Sequence, residues 1–182
     1  MNRTLTLLST LVLLGACASG PKALVLKGDA RLVGGGETVA KLELPGEWTI
    51  TGKKADRLDA SGSDNFSKLT MTLAPVLLAP EACAELATRA ATDLALSAAG
   101  GNKEIKAEIA SVGSPEVVGF TETVPATPPG PADRFVQGRV VCKAGALVGV
   151  QCSTGIARKD TTGADCKKAL EALTVEAPVA RP

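Results

Sequence analysis

The five cysteines of this 182-residue chain carry its most definite chemistry, and they divide into one and four. Cys17 ends an apolar run near the start, whereas Cys83, Cys142, Cys152 and Cys166 lie far downstream. A thiolate can ligate a metal, act as a nucleophile or join a second thiol. Four-cysteine zinc sites are built on paired Cys-x-x-Cys knuckles, and no two of these four stand that close. An even number of cysteines in an exported domain points instead to two disulfides. Histidine is absent, which removes the commonest general base, every histidine-dependent triad and most zinc and copper sites. No metal or other cofactor is therefore expected.

Other near-matches to catalytic motifs fail on their own residues. Gly46 to Gly52-Lys53 comes near a phosphate loop but has five intervening residues instead of four. It continues with Lys54 where a metal-binding hydroxyl is needed, and its β-branched run suits a strand. Ser63-Asp64-Asn65 matches a penicillin-binding triplet, yet the only Ser-x-x-Lys is Ser19 to Lys22 and no Lys-Thr-Gly follows. Asp160-Thr161-Thr162-Gly163 is one residue off an aspartic-protease signature and reads better as a helix start. Arg158-Lys159-Asp160 with Lys167-Lys168 reads as a solvated surface. No catalysis dependent on Ser63, Asp64 or Asp160 is expected, and the chain is read as a non-enzyme.

Cys17 has a different setting. Arg3 supplies a positive charge and Leu5 to Leu14 is almost wholly apolar. That run is too short to cross a hydrocarbon core, which takes roughly 20 helical residues. A charged start, a short apolar run and small residues describe a signal peptide. Its end, Leu14-Gly15-Ala16-Cys17, resembles the lipobox of bacterial lipoprotein signals. The resemblance implies cleavage before Cys17 and lipid on its sulfur and new amine. Each buried methylene contributes about 0.8 kcal/mol, so two or three acyl chains anchor a protein firmly. Ala18, rather than Asp, follows the cysteine, which in that family favours the outer membrane of a two-membrane source.

The division expected is a signal peptide over 1–16, a lipidated cysteine and flexible tether over 17–37, one domain over 38–176 and a tail over 177–182. Lys and Arg total 20 against 19 Asp and Glu, and the signal holds only Arg3, so the mature side chains balance at zero. Without a basic stripe, nucleic acid is excluded as a partner. Aromatic residues are confined to Trp48, Phe66, Phe120 and Phe135, too few for a wide stacking cleft.

Elements that position these residues follow from periodicity. The Gly- and Pro-bearing stretch from Ala18 to about Gly36 reads as tether, with a short strand possible at Ala23–Leu26. Val39–Leu44, Trp48–Thr51 and Lys68–Leu73 read as strands, with Lys53–Leu58 a loop or edge. Pro80–Ala99 reads as a helix burying Cys83, Leu86, Ala90 and Leu94, closed by Gly100-Gly101. Glu104–Val112 and Val117–Val124 are strands, and Arg134–Cys142 with Ala146–Thr154 make a hairpin. Thr162 and Asp165 suggest a capping box opening a short helix, followed by a last strand near Leu173–Glu176. The fold class is α+β: an antiparallel β-sheet covered by a long mid-chain helix and a short C-terminal helix. Leu44-Pro45-Gly46-Glu47-Trp48, with this element order, resembles the PsbP/Mog1-like fold. That resemblance covers about Val39 to Glu176 and implies binding or assembly, without a shared active site.

Alternation on the hairpin constrains the cysteines. A tight turn at Ala144-Gly145 pairs 142 with 147 and 137 with 152, so Cys142 and Cys152 point to opposite faces. If one helix covers each face, Cys152 meets Cys166 and Cys142 meets Cys83. A three-residue turn would put both strand cysteines on one face. The function expected is a membrane-anchored envelope lipoprotein that binds or stabilises a protein partner. The alternative is a carrier or sensor of a small apolar ligand.

The lipid on Cys17 is directly measurable. The mature protein from native cells is expected to partition into detergent and to show acyl mass, and Cys17→Ser to block processing. A water-soluble product of unmodified mass contradicts this reading.

Overall fold

The structure is a computed structural model and describes residues 30–34, 38–44, 48–76, 82–126 and 132–177. Cys17 and its signal, residues 23–26, residues 45–47 of the Pro-Gly-x-Trp motif and the first two residues expected in the long helix lie outside them. Along the chain come β1 (Arg31–Val33), β2 (Val39–Lys41), β3 (Thr49–Lys53), β4 (Arg57–Ser61) and β5 (Lys68–Pro75). Then follow α1 (Cys83–Ala98), β6 (Glu108–Val112), β7 (Ser114–Val124), β8 (Arg134–Lys143), β9 (Ala146–Gly155), α2 (Thr162–Glu171) and β10 (Thr174–Glu176). Seven strands form one antiparallel sheet in the order β3-β4-β5-β9-β8-β7-β6, and β1-β2-β10 form a small second sheet.

The central pair is β8 and β9, joined by Ala144 and Gly145 alone, both at positive φ (55° and 72°). Two left-handed residues make a turn whose twist matches that of paired strands. Thr38 steadies it by donating its hydroxyl to the Ala144 carbonyl at 2.8 Å. The resulting register sets Cys142 opposite Leu147 and Gln137 opposite Cys152. Because side chains alternate, Arg134, Val136, Val140 and Cys142 share one sheet face, and Gln137, Arg139, Val141 and, from β9, Cys152 share the other.

Each face carries its own core. On the first, α1 presents Ala87, Ala91, Ala95 and Ala98 to Val118, Phe120, Val136, Val140 and Cys142. This corrects the expected buried stripe: Cys83, Leu86, Ala90 and Leu94 are only partly buried and flank the alanines. Alanine on the contact line lets the helix backbone approach the sheet, while larger side chains straddle the seam. Phe120 crosses directly over Gly138, where any Cβ would overlap its ring. On the other face, α2 and the small sheet pack on Leu58, Leu69, Met71, Leu73, Val148 and Val150.

β8 also secures both helices. The last carbonyls of a helix lack intrahelical donors. Arg134 donates to Ala98 O of α1 at 3.0 Å, and Arg139, on the opposite face, donates to Leu170 O of α2 at 3.0 Å. A cation there also meets the negative end of the helix dipole, worth about 0.3–1 kcal/mol when exposed. The helices are also held covalently: Cys83, the first residue of α1, is bonded to Cys142, and Cys166, midway along α2, to Cys152, with Cα separations of 5.4 and 6.0 Å.

Further details differ from the sequence expectation, among them the end of β2 at Lys41 and the start of β7 at Ser114. Ala30 to Val33, assigned to the tether, belongs to the domain, because Leu32 is buried and pairs opposite Ala40. Arg57–Ser61, whose first two residues fall in the stretch read as loop or edge, is the interior strand β4; its charges Arg57 and Asp59 pair with each other on one face while Leu58 and Ala60 are buried on the other. β6 begins at Glu108, not Glu104. No side-chain capping bond opens α2, so the Thr162–Asp165 capping box is not formed; the Asp165 amide donates to the Thr161 carbonyl instead.

Removing each disulfide should separate the two cores energetically. Chain-entropy estimates give about 4 kcal/mol for the 59-residue separation and about 3 for the 14-residue one. Cys83→Ala/Cys142→Ala is therefore expected to cost more than Cys152→Ala/Cys166→Ala in urea unfolding of the oxidised protein. The reverse order would contradict the entropic account.

Candidate functional site

The residues singled out by sequence are dispersed, with one exception. Lys53 lies in β3, where a phosphate loop is impossible. Lys167 and Lys168 make exposed ion pairs within α2, to Glu171 at 4.0 Å and Asp165 at 3.6 Å. Lys159 sits 4.9 Å over the Phe135 ring. Arg158, however, reaches Asp64 at 3.4 Å and joins two motifs far apart in sequence.

Asp64 is a turn clamp between β4 and β5. Its Oδ1 accepts the amides of Phe66 (3.1 Å) and Ser67 (2.8 Å), and its Oδ2 accepts the Ser67 hydroxyl at 2.8 Å. The following residue, Asn65, takes the left-handed conformation the turn needs (φ 58°). Burial pushes the Asp64 carboxyl up, but the bonds from Ser67 and Phe66, with Arg158, outweigh it and hold the carboxyl below its ordinary range. A carboxylate so saturated is poorly placed to act as a base. Among the described residues no group of three His, Cys, Asp or Glu could hold a metal ion, and no helix is long and apolar enough to cross a membrane.

What remains is surface left uncovered by the two helices. α1 lies over β7 and β8 on one face, while α2 and the small sheet lie on the β4, β5 and β9 side of the other. The cover is diagonal, so among the described residues the β6–β7 end is bare on the α2 face. A trough of about 740 Å³ runs there, with Gly119 and Thr121 on its floor and Lys167, Leu170 and Glu171 of α2 as one wall. Gly119 keeps the floor low, since a Cβ there would approach Val112 to 3.1 Å. Arg139 spans floor and wall, and its Nε has no hydrogen-bond partner among the described residues.

The other wall is β6, an end strand in which all five residues are exposed, including Ile109 (36%) and Val112 (42%). An end strand leaves a row of backbone donors and acceptors without a strand partner. The trough thus combines apolar side chains, a low glycine floor and an open edge, with charges of both signs at the rim. Sequence reasoning identified β6 and β7 as strands but not this site, because position in the sheet is not written in one strand's pattern.

No family model matches the chain, and no curated protein matches it in sequence. Solved structures do. Cyanobacterial PsbP (CyanoP) from Synechocystis is 14% identical, with a TM-score of 0.52 over 89% of this chain and 100% of that one. A protein from Bacteroides thetaiotaomicron is 10% identical, with a TM-score of 0.50 over 85% of this chain and 50% of its own. The Ran-binding protein Mog1p of Saccharomyces cerevisiae is 9% identical, with a TM-score of 0.48 over 78% and 84%. At these identities the likeness is one of fold: this chain has a PsbP/Mog1-like α+β architecture.

The Asp64 clamp has a pH signature. A carboxyl whose folded value is depressed stabilises the fold above the unfolded value, about 3.9, and that stability is lost as pH falls through the folded value. Asp64→Asn is expected to cost about 1.5–3 kcal/mol at pH 7, with the deficit against wild type shrinking below pH 4. A pH-independent deficit would show that the carboxylate's charge is irrelevant.

Proposed function

We propose that the chain is an exported lipoprotein, anchored through lipid on Cys17, whose domain captures an extended segment of an envelope protein along β6. The signal occupies 1–16, the tether runs from Cys17 to about residue 29, the domain spans 30–176, and 177–182 form a tail. In a two-membrane source, Ala18 favours the outer membrane. Two disulfides suit the oxidising compartment that export reaches.

The observation that carries the reading is the open edge of β6 beside the uncovered trough. A partner strand added there would satisfy the free backbone groups of β6, and alternate side chains would enter the trough. Affinity would come from main-chain bonds and selectivity from Val112, Arg139 and the α2 wall. Non-catalytic binding also fits the placement of Asp64 and the absence of histidine. A fold shared with a PsbP protein is compatible with this role.

The test begins with the lipidated protein purified from its own envelope. Val112→Glu, which puts a charge at the trough mouth without touching a core, is expected to reduce recovery of the bound partner at least tenfold. In the intact complex the amides of residues 108–112 should gain protection from hydrogen exchange. A partner retained by Val112→Glu, with β6 exchanging as in the free protein, contradicts the proposal.

A further inference from the structure

The second quadrant left bare by the diagonal cover lies on the α1 side of β4, β5 and β9, and its chemistry differs. A depression of about 600 Å³ opens there between the Asp64 turn and the 3₁₀ turn Ile156–Arg158. Among the described residues its lining includes three cations, Lys68, Arg134 and Arg158, and no acidic residue. That is a local imbalance in a mature chain whose charges cancel. Next to it, outside the lining, Arg57 is neutralised by the fork it makes with Asp59. Of the three lining cations, Arg158 has an ion pair, to Asp64 at 3.4 Å, and Lys68 and Arg134 donate to neutral acceptors.

The commitments of the cations leave their charge available. Lys68 donates to the Ser61 hydroxyl at 2.8 Å and Arg134 to the Ala98 carbonyl, both neutral acceptors. Arg158 leans on Asp64, a carboxylate already taken by two amides and a hydroxyl, and its side chain stays 56% exposed. Glu122, the acid near Arg134, is buried and does not line the depression. Register places Lys68 opposite Ser153 and Thr70 opposite Gln151 on one face, with the Thr70 hydroxyl already donating to Asp59 at 2.7 Å. Beside Arg134 the space is open, since a Cβ at Gly155 would meet nothing within 4 Å. At the rim stands Phe66, 75% exposed and the most exposed of the large apolar side chains among the described residues.

We propose that this depression binds a small amphipathic anion, with its phosphate or carboxylate among Lys68, Arg134 and Arg158 and its apolar body against Phe66. Gln151 and Ser153 supply neutral hydrogen bonds to the same head group. A volume of about 600 Å³ lies within the usual range for small-molecule sites. The site is separate from the β6 trough and does not depend on the partner reading. Its ligand's chemistry is found both in soluble organic anions and in the head groups of anionic lipids.

The test uses the mature lipidated chain in phosphatidylcholine nanodiscs, at constant ionic strength, with backbone amide NMR. Hexyl phosphate is expected to shift amides of residues 65–68 and 151–155 saturably, and to bind at least tenfold more tightly than inorganic phosphate. Phe66→Ala should abolish that preference. Lys68→Gln/Arg158→Gln, both exposed positions, should weaken both probes at least tenfold while leaving amides of the two cores unshifted. In phosphatidylglycerol nanodiscs, weaker hexyl phosphate binding assigns the site to a lipid head group, and unchanged binding to a soluble anion. No saturable shift, or double-variant affinity equal to wild type, overturns the proposal.

Discussion

A two-residue turn holds the molecule's geometry. With only Ala144 and Gly145 between β8 and β9, both at positive φ, the strands pair in one register, and that register sends Cys142 and Cys152 to opposite faces of the sheet. Cys142 then fixes the start of α1 and Cys152 the middle of α2, and two arginines of β8, 134 and 139, fix the helix ends. The β8–β9 pair therefore determines where both helices lie. One extra residue in the turn would reverse the alternation of everything after it.

The diagonal arrangement of cover follows from the same strand pair. A sheet of seven strands is wider than one short helix can cover, and the two helices sit on different faces and toward different ends. Two quadrants stay open, and they have opposite characters. The one beside β6 combines apolar and small residues with charges of both signs and ends in a strand edge without a partner among the described residues. The one beside the Asp64 turn is floored by Lys68, Thr70, Gln151 and Ser153.

Much of this was legible in the sequence where short-range chemistry decides. The turn at Ala144-Gly145, the alternation of Lys68–Leu73 and the α+β class all follow from local periodicity and residue type. What eluded it depends on long-range neighbours. Leu32 looks like tether until β2 is known to lie beside it. Arg57 and Asp59 look like loop because their mutual pairing is invisible in a hydropathy pattern. In α1 the larger residues suggested the buried stripe, whereas close approach to the sheet selects Ala87, Ala91, Ala95 and Ala98. Neither open quadrant could be found without the strand order, since both arise from what fails to cover them. Asp64 was visible as a motif, but its role as a clamp appears only when the Ser67 and Phe66 amides are in place.

The central claim is that the hairpin register places its two cysteines on opposite faces, each facing a different helix. Non-reducing peptide mapping of the exported protein tests it most directly. The account predicts two crosslinked peptide pairs, Cys83 with Cys142 and Cys152 with Cys166. A peptide joining Cys142 to Cys152, or Cys83 to Cys166, would contradict it, because either requires a different register or a different placement of the helices on the sheet.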